Sequence, residues 1–271
     1  MLRRNHGLAY LVGRALDLYR VARGPQEYGS VTRFILAQVM ARVVRRPMET
    51  TLRLRGVRYQ IAIPSRETFP FAEIYLERVY ERFEDFVAHP GWTVVDAGAN
   101  VGAFAVRQAQ IGARVVAFEP NPGCARRLWG TVSRNGLDQV TLVPCALGAT
   151  PGTATLAVGG STLAGSIVET PEDGAAEQLQ VKVDTLDHVA EGLGLGRIDL
   201  LKVDVEFAEV DVLRGAARTL PRVERVVVEY HSHDLLAQVR EFLSGHGFRC
   251  RGWYDFSDSP YGVAYFSRPC G

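Results

Sequence analysis

The sequence predicts an α/β fold with a doubly wound, mostly parallel sheet of seven strands and helices on both faces, preceded by an N-terminal helical extension. From residue 92 onward, apolar segments of strand length alternate with segments whose apolar residues recur at helical spacing. Two of the apolar segments end in an acid, Asp96 and Glu119, and the first continues into a glycine-containing turn. Parallel sheets bind ligands at the carboxyl ends of their strands, so the pattern also predicts where a site lies.

Residues 1–50 are predicted to form the helical extension. Apolar residues at helical spacing predict a helix over residues 5–23, which Gly24-Pro25 ends, and a second helix over residues 31–44. Residues 1–58 contain twelve arginines and three acids, a net charge of about +9. The sequence leaves three interpretations of this extension open: packing on the main domain, homodimer formation, or contact with an anionic membrane surface.

Residues 51–271 are predicted to form the main domain, which begins with a hairpin around Arg55-Gly56 and a helix over residues 73–88. Residues 146–183 are predicted to be an insertion of two extended segments around the glycine-rich stretch 159–175. The sequence leaves two interpretations of this stretch open: a lid on the acceptor side or a mobile surface loop. The predicted core strands lie near residues 92–96, 114–119, 140–144, 199–204, 223–230, 247–252 and 261–266. The predicted core helices cover residues 102–111, 121–135, 206–220 and 233–245.

The composition argues against several classes of protein. A net charge of +1 over 271 residues argues against a general nucleic-acid-binding protein. The four cysteines are scattered without the spacing of a metal site, which predicts a reduced, cytoplasmic protein. No run of about 20 apolar residues is present to span a bilayer, so membrane contact would be peripheral.

The turn from Asp96 to Gly102 predicts a nucleoside pocket. Gly98 and Gly102 allow positive φ and a close approach of the backbone to a ligand. The carboxylate of Glu119 can accept hydrogen bonds from both hydroxyls of a ribose, and Asp96 can bind an ammonium group. A ligand with hydroxyls and positive charge, such as S-adenosylmethionine, fits these acids better than a dinucleotide. The alternative is a nicotinamide-dependent oxidoreductase. Asn100 counts against it, because a dinucleotide site would have glycine at this position.

Several segments, in the right order and spacing, resemble the FkbM family of S-adenosylmethionine-dependent methyltransferases. They are VVDAGANVG at 94–102, FEP at 118–120, ALG at 146–148, LKVDVEFAE at 201–209 and VVVEYH at 226–231. The resemblance covers residues 57–235 and implies a Rossmann-like class I methyltransferase fold. Phe207 departs from the pattern, because the family usually has glycine at this position, and its side chain would reshape the acceptor pocket.

The resemblance also implies which residues bind the cofactor. The methionine end would be lined by Asp96, Gly98, Asn100 and Gly102, and the ribose would be held by Glu119. The adenine would be flanked by Asn121, Cys145 and Ala146, and the cofactor would be covered by Tyr80, on the helix before the first core strand.

The acceptor is expected beside the carboxyl ends of the fourth and fifth strands. Methyl transfer to a hydroxyl calls for a general base, and His231 and Asp204 are the candidates, with Glu229 beside them. Alternatively, Asp204 and Glu229 would bind Mg²⁺, which would orient the acceptor and lower the pKa of its hydroxyl. Lys202, inside an apolar strand, is expected to pair with an acid.

The expected function is O-methylation of a small-molecule acceptor by S-adenosylmethionine. The family resemblance favours a sugar or polyol hydroxyl on a glycosylated or polyhydroxylated metabolite, as in natural product biosynthesis. A peptide or a lipid-linked acceptor stays open at this point, and the basic N-terminal helices would suit a membrane-borne one.

Overall fold

The computed structural model of the protein describes residues 16–44, 48–63, 69–158, 177–256 and 259–269. The glycine-rich stretch 159–175 and most of the helix predicted over residues 5–23 therefore lie outside the described residues. The chain forms two compact units, Met1–Val79 with Arg126–Gly136 and Tyr80–Ala125 with Leu137–Gly271. In the described part of the chain, no helix is both long enough and apolar enough to cross a membrane.

The first unit contains the long helix α1 (Pro25–Val44) and a hairpin of β1 (Met48–Leu54) and β2 (Val57–Ile63), which confirms the predicted hairpin. Residues 16–21 are also helical. α1 begins earlier than predicted, at Pro25, whose fixed φ suits a first helical position. The Glu27 carboxylate accepts hydrogen bonds from the backbone of Arg23 (2.6 Å) and Gly56 (2.7 Å), and so attaches the start of α1 to the hairpin.

The prediction of one helix over residues 73–88 is wrong. A π-helical turn covers Glu73–Glu77, and it ends where Arg78 adopts a left-handed conformation with φ of 53°. Further on, the chain forms turns and a 3₁₀ turn that contains Phe86. In this segment the Phe86 ring packs against the main sheet, edge-on to Tyr265 of its C-terminal strand, with 5.1 Å between centroids.

The second unit is built on the predicted seven-stranded sheet. From here to the C terminus the strands are β3 (Thr93–Ala97), β4 (Arg114–Phe118), β5 (Val140–Val143), β6 (Ala146–Leu147), β7 (Gly152–Val158), β8 (Glu177–Asp184), β9 (Leu200–Val203), β10 (Arg225–Tyr230), β11 (Arg249–Asp255) and β12 (Gly262–Ser267). The main sheet has the order β11-β12-β10-β9-β3-β4-β5, and β12 runs antiparallel to both of its neighbours. The strand order reverses between β3 and β9, the point beside which a doubly wound sheet binds its ligand.

Five helices connect these strands: α2 (Ala103–Ile111), α3 (Pro122–Asn135), α4 (Leu186–Gly192), α5 (Glu209–Arg214) and α6 (His233–Gly245). α4 was not predicted, because its 7 residues are too few to show helical periodicity. Its start is marked by Thr185, whose side chain accepts a hydrogen bond from the backbone of His188. The helix predicted over residues 206–220 is much shorter, because Glu206 and Phe207 have φ of 50° and 75°, which a right-handed helix cannot include.

The insertion after β5 forms a small sheet of its own. β8 lies at its centre, antiparallel to β7 and parallel to β6. β7 and β8 confirm the two extended segments that the sequence predicted. Buried Ala146, Leu156 and Val181, one from each strand, hold the three strands together.

Alternation along the strands of the main sheet separates an apolar face from a face that carries charge. Val95, Leu201 and Val228 belong to one continuous core, which also includes residues of α5 and α6. The opposite face carries Asp96 and Lys202, and the Lys202 Nζ lies 5.8 Å from the ring centre of Phe104 on α2. Helices therefore pack on both faces, as predicted, and the charged face is the one on which a site can form.

Candidate active site

Strand register gathers four charged side chains on one face of the main sheet. Asp96 of β3 is in register with Lys202 of β9, and Lys202 is in register with Val227 of β10. Side chains two residues apart in a strand point to the same face, so Asp204 and Glu229 lie on the face of Asp96 and Lys202. All four charged residues lie at the carboxyl ends of central strands, where the sequence predicted the site.

Lys202 connects the acids of this face to the turn after β3. Its Nζ lies 3.0 Å from Asp96 Oδ1 and 3.2 Å from Asp204 Oδ2, and it donates a hydrogen bond of 2.9 Å to the carbonyl of Gly98. Burial alone would lower the pKa of Lys202, but the two carboxylates outweigh burial and raise the pKa above its usual range. Lys202 is therefore a buried, charged cation, which confirms its expected pairing with an acid.

Asp96 faces Lys202 from a fully buried position. Its Oδ2 has no hydrogen-bond partner within the described part of the chain, and burial raises the pKa of the carboxyl group despite the neighbouring ammonium. The carboxylate is thus already engaged by a cation of the protein. Direct binding of a ligand ammonium by Asp96 would have to share that carboxylate with Lys202.

The turn that follows β3 uses three residues with positive φ: Gly98 at 83°, Asn100 at 52° and Gly102 at 89°. A Cβ atom built on Gly98 would overlap the carbonyl oxygen of Asp204. Glycine at 98 is therefore required by the neighbouring strand end, whereas the sequence suggested that a ligand was the reason. Gly102 in its left-handed conformation begins α2, whose first N–H groups point away from the helix towards the turn.

Glu119 follows β4 and is held from both sides by backbone. Its Oε2 accepts a hydrogen bond from the N–H of Asn100 (2.7 Å), and its Oε1 accepts one from the N–H of Asn121 (2.8 Å). Burial raises the pKa of Glu119 to about 7, although both N–H groups act to lower it. Each oxygen keeps a further lone pair, so the carboxylate can still accept two hydroxyl donors.

The residues predicted to flank the adenine lie after β4 and β5. Asn121 Oδ1 accepts a hydrogen bond from the backbone of Gly123 (2.9 Å) and so caps α3, which leaves its side-chain N–H₂ group as the donor. Cys145 is buried two residues after β5, and Ala146 begins β6. Burial also raises the pKa of the Cys145 thiol to about 11, so this side chain is neutral.

Tyr80 joins the two carboxylates on the acceptor side. Its hydroxyl oxygen lies 3.1 Å from Asp204 Oδ2 and 2.5 Å from Glu229 Oε2, so its single proton is donated to one of the two carboxylates at a time. Its ring lies edge-on to Phe104. The residue lies in a turn rather than on the predicted helix. Tyr80 therefore fixes the separation of Asp204 and Glu229, a role that the sequence did not suggest.

His231 is buried between two carboxylates. Its Nδ1 lies 2.6 Å from Glu209 Oε1 and its Nε2 lies 3.3 Å from Glu206 Oε2. Burial alone would lower the pKa of His231, but the hydrogen bond to Glu209 and the charges of both glutamates raise it to about 9. The imidazole is therefore charged at neutral pH, whereas the sequence suggested a residue that titrates there. Burial raises the pKa of Glu206 to about 7.

Two exposed aromatic rings flank His231. The centroid of the Phe207 ring lies 5.3 Å from that of His231, and the Tyr261 ring lies 5.5 Å away on a separate segment. Sequence reasoning did not find Tyr261, because nothing in the local pattern relates it to His231. Sequence reasoning did not connect Glu206 and Glu209 with His231 either; the signal that could have found them is the spacing of two acids around a helix start.

Comparison with known proteins gives the family. Residues 96–250 match the family described as "Methyltransferase FkbM domain". The chain belongs to the FkbM methyltransferase family. The 31-O-demethyl-FK506 methyltransferase FkbM of Streptomyces tacrolimicus is 32% identical over 213 residues, in a match that covers 66% of this chain and 81% of that protein.

Two further relatives show how widely the family domain is used. The hexuronic acid methyltransferase AglP of Haloferax volcanii is 29% identical, and the match covers 55% of this chain and 60% of AglP. The AMB antimetabolite synthetase AmbE of Pseudomonas aeruginosa is 33% identical over 60% of this chain, which spans only 9% of AmbE. The region similar to this chain thus makes up more than half of AglP but only a small part of AmbE.

Membership decides between the two functions that the sequence left open. This FkbM-family protein is an S-adenosylmethionine-dependent methyltransferase, and the alternative of a nicotinamide-dependent oxidoreductase is set aside. The strand order and the single antiparallel strand confirm the predicted class I methyltransferase fold.

Asp204, Glu229 and His231 also form a cluster with the dimensions of a metal site. One ligand atom from each lies within 4.8 Å of the other two. Both ring nitrogens of His231, however, face glutamates, and the raised pKa keeps the ring protonated at neutral pH. A cation here would have to displace the proton of His231 before this ring could ligate it, so the two carboxylates are the more accessible ligands.

Proposed function

We propose that this protein transfers the methyl group of S-adenosylmethionine to a hydroxyl group of a small, glycosylated or polyhydroxylated metabolite. The observation that carries the proposal is the grouping of Asp204, Glu229 and His231 directly beside the turn that contains Gly98. The name of one relative, a 31-O-demethyl-FK506 methyltransferase, supports an oxygen acceptor on a small molecule, and that of another, a hexuronic acid methyltransferase, supports a sugar-like acceptor.

The residues of the turn fit the cofactor. Glu119 can accept both ribose hydroxyls, because each of its oxygens is occupied by only one backbone N–H. The start of α2 at Gly102 offers N–H groups to the carboxylate of the methionine end, and Asn121 and the Cys145-Ala146 segment lie where the adenine is expected. When bound, S-adenosylmethionine supplies an electrophilic methyl group on a sulfonium.

The acceptor side divides into residues that orient hydroxyls and residues that take a proton. We assign orientation to Asp204 and Glu229, whose carboxylates Tyr80 holds at a fixed separation and which can each accept a hydrogen bond from a hydroxyl. We assign the proton to the pair of Glu206 and His231. Because His231 is already charged, Glu206, with a pKa of about 7, is the member of the pair that can accept it.

The test is incubation of the protein with S-adenosylmethionine labelled in its methyl group and a small-molecule extract of the source organism. We expect one labelled product, whose label is released by cleavage of a methyl ether. Glu119→Ala should abolish labelling through loss of cofactor binding, whereas Asp204→Asn and Glu206→Gln should lower turnover while cofactor affinity stays within about a factor of three. Label on nitrogen, carbon or protein would overturn the proposal.

A metal-assisted version of the same reaction has one observation in its favour, the closeness of Asp204 to Glu229. In that version Mg²⁺ would lie between the two carboxylates and lower the pKa of the acceptor hydroxyl. Tyr80 and Lys202 already satisfy one oxygen of these acids each, which favours the metal-free version. Turnover that a chelator abolishes and Mg²⁺ restores would establish the metal-assisted version, and unchanged turnover would establish the other.

A further inference from the structure

Helix α1 (Pro25–Val44) is apolar on two opposite sides. Its buried side includes Val31, Phe34 and Ala41, and Ser30 on the same side accepts a hydrogen bond from the backbone of Arg53 in the hairpin (2.8 Å). The other side carries five large apolar side chains that are 45–59% exposed. We call them the exposed stripe: Tyr28, Leu36, Val39, Met40 and Val44.

The members of the exposed stripe lie on one side of the helix, where exposed Thr32 and Arg33 separate Tyr28 from the other four. At about 100° per residue, they fall within about 160° of the helix circumference. Single exposed apolar residues are ordinary on a protein surface, but five on one side of one helix, four of them within residues 36–44, mark a surface that another apolar body covers. The hairpin covers the opposite side, so among the described residues the exposed stripe faces away from the hairpin.

The positive charge of this part of the chain indicates which kind of partner covers the exposed stripe. The segment from residue 1 to residue 58 carries a net charge of about +9 from twelve arginines and three acids. Three arginines near the exposed stripe are exposed: Arg20 and Arg23 just before α1, and Arg33. Around the helix, Arg33 lies between the positions of Met40 and Val44. In a symmetric dimer through this surface, two such positively charged segments would lie together and repel each other. An anionic lipid surface, in contrast, attracts the segment and accepts apolar side chains below its headgroups.

We propose that α1 is a membrane-docking helix that lies on an anionic phospholipid surface with the exposed stripe inserted among the lipids. This docking is independent of the chemistry assigned to the active site, and it would operate whatever acceptor the protein methylates. It places the protein at the surface of a membrane, with α1 lying on that surface.

The experiment is co-sedimentation of the full chain with vesicles of about 70% phosphatidylcholine and 30% phosphatidylglycerol, compared with vesicles of phosphatidylcholine alone. We expect at least about tenfold tighter binding to the anionic vesicles, reduced at least about tenfold by roughly 0.5 M salt because the Debye length shortens. The variant Leu36→Glu, Met40→Glu should lose at least about tenfold in affinity. The control Leu193→Glu, Trp253→Glu, with the same change of charge at exposed apolar residues of the other unit, should bind like the wild type.

Three results would overturn the proposal: no binding of the wild type to anionic vesicles, equal binding to neutral vesicles, or unchanged binding of the Leu36→Glu, Met40→Glu variant. A wild-type dimer that this variant splits, without vesicle binding, would instead assign the exposed stripe to a second copy of the chain. If the glutamate variant does not fold, as judged by its thermal transition, Leu36→Gln, Met40→Gln provides the same comparison without added charge.

Discussion

Replacing Glu209 by glutamine is expected to lower the pKa of His231 and to remove a pH-dependent part of the stability of the fold. In the wild type, the hydrogen bond and the charge of Glu209 help to raise the pKa of His231 from 6.5 to about 9. The introduced glutamine would keep the shape of the side chain but not its charge, and burial would still act to lower the pKa. The His231 pKa should therefore fall towards or below its ordinary value.

The size of the effect on stability follows from the pKa values of the wild type. One pKa unit corresponds to about 1.4 kcal/mol, so a shift from 6.5 to about 9 in a buried group is worth about 3 kcal/mol. A raised pKa in the folded state means that the protonated form stabilises the fold. The contribution is complete below about pH 6.5, the value in the unfolded chain, and is lost as the pH rises through about 9.

Two measurements check this reasoning. NMR titration of the His231 ring, assigned by its absence in His231→Gln, gives the pKa directly in the wild type and in Glu209→Gln. Denaturant unfolding at about pH 6 and pH 9.5 gives the second quantity: the stability advantage of the wild type over Glu209→Gln should shrink by about 3 kcal/mol between these pH values. If the advantage stays constant with pH, or if His231 titrates near its ordinary value in the wild type, the arrangement of charges around His231 is wrong.

Three further predictions concern the cofactor turn and the acceptor side. Glu119 has a pKa of about 7, and only its ionised form accepts the ribose hydroxyls, so S-adenosylmethionine binding should release about half a proton at pH 7 and almost none at about pH 8.5. Calorimetry in buffers of different ionisation enthalpy measures this release, and a release that does not vary with pH would contradict the prediction. Lys202→Met should destabilise the fold by about 3–5 kcal/mol, since it leaves the buried Asp96 carboxylate without its cation, and adding Asp96→Asn should restore part of that loss in denaturant unfolding. Phe207→Gly should raise the unfolding free energy by about 1 kcal/mol through relief of the left-handed backbone, and a lower melting temperature would show that the contacts of the ring outweigh the strain.

The position of the site was predictable because it depends on register and alternation. Asp96 and Glu119 end two apolar strands that are adjacent in the sheet, so the turn between β3 and α2 and the acid after β4 could be assigned before any coordinates. Lys202 was expected to pair with an acid because an apolar strand gives a lysine no other way to stay charged. Each of these patterns lies in a short stretch of sequence and is compatible with one arrangement of the side chains.

The partners of His231 were not predictable in the same way. Glu209 lies on a six-residue helix whose start is set by the positive φ of Glu206 and Phe207, and neither feature has a periodic signal in the sequence. Tyr261 reaches His231 from the hairpin between β11 and β12, much later in the chain. Tyr80 was placed on a helix, but the left-handed residue at Arg78 ends that helix and directs the chain so that Tyr80 meets Asp204 instead.

One carboxylate, that of Glu209, supports both the left-handed backbone at Phe207 and the positive charge of His231. Glu209 Oε1 accepts the backbone N–H of Phe207 at 3.1 Å and faces His231 Nδ1 at 2.6 Å. The same oxygen therefore holds the left-handed turn in place and keeps the imidazole protonated. In Glu209→Gln the amide oxygen can still accept from both donors but carries no full charge, so both hydrogen bonds weaken and the strain at Phe207 should be compensated less. Combining Glu209→Gln with Phe207→Gly should then cost less stability than the two separate changes predict, because glycine needs no such support.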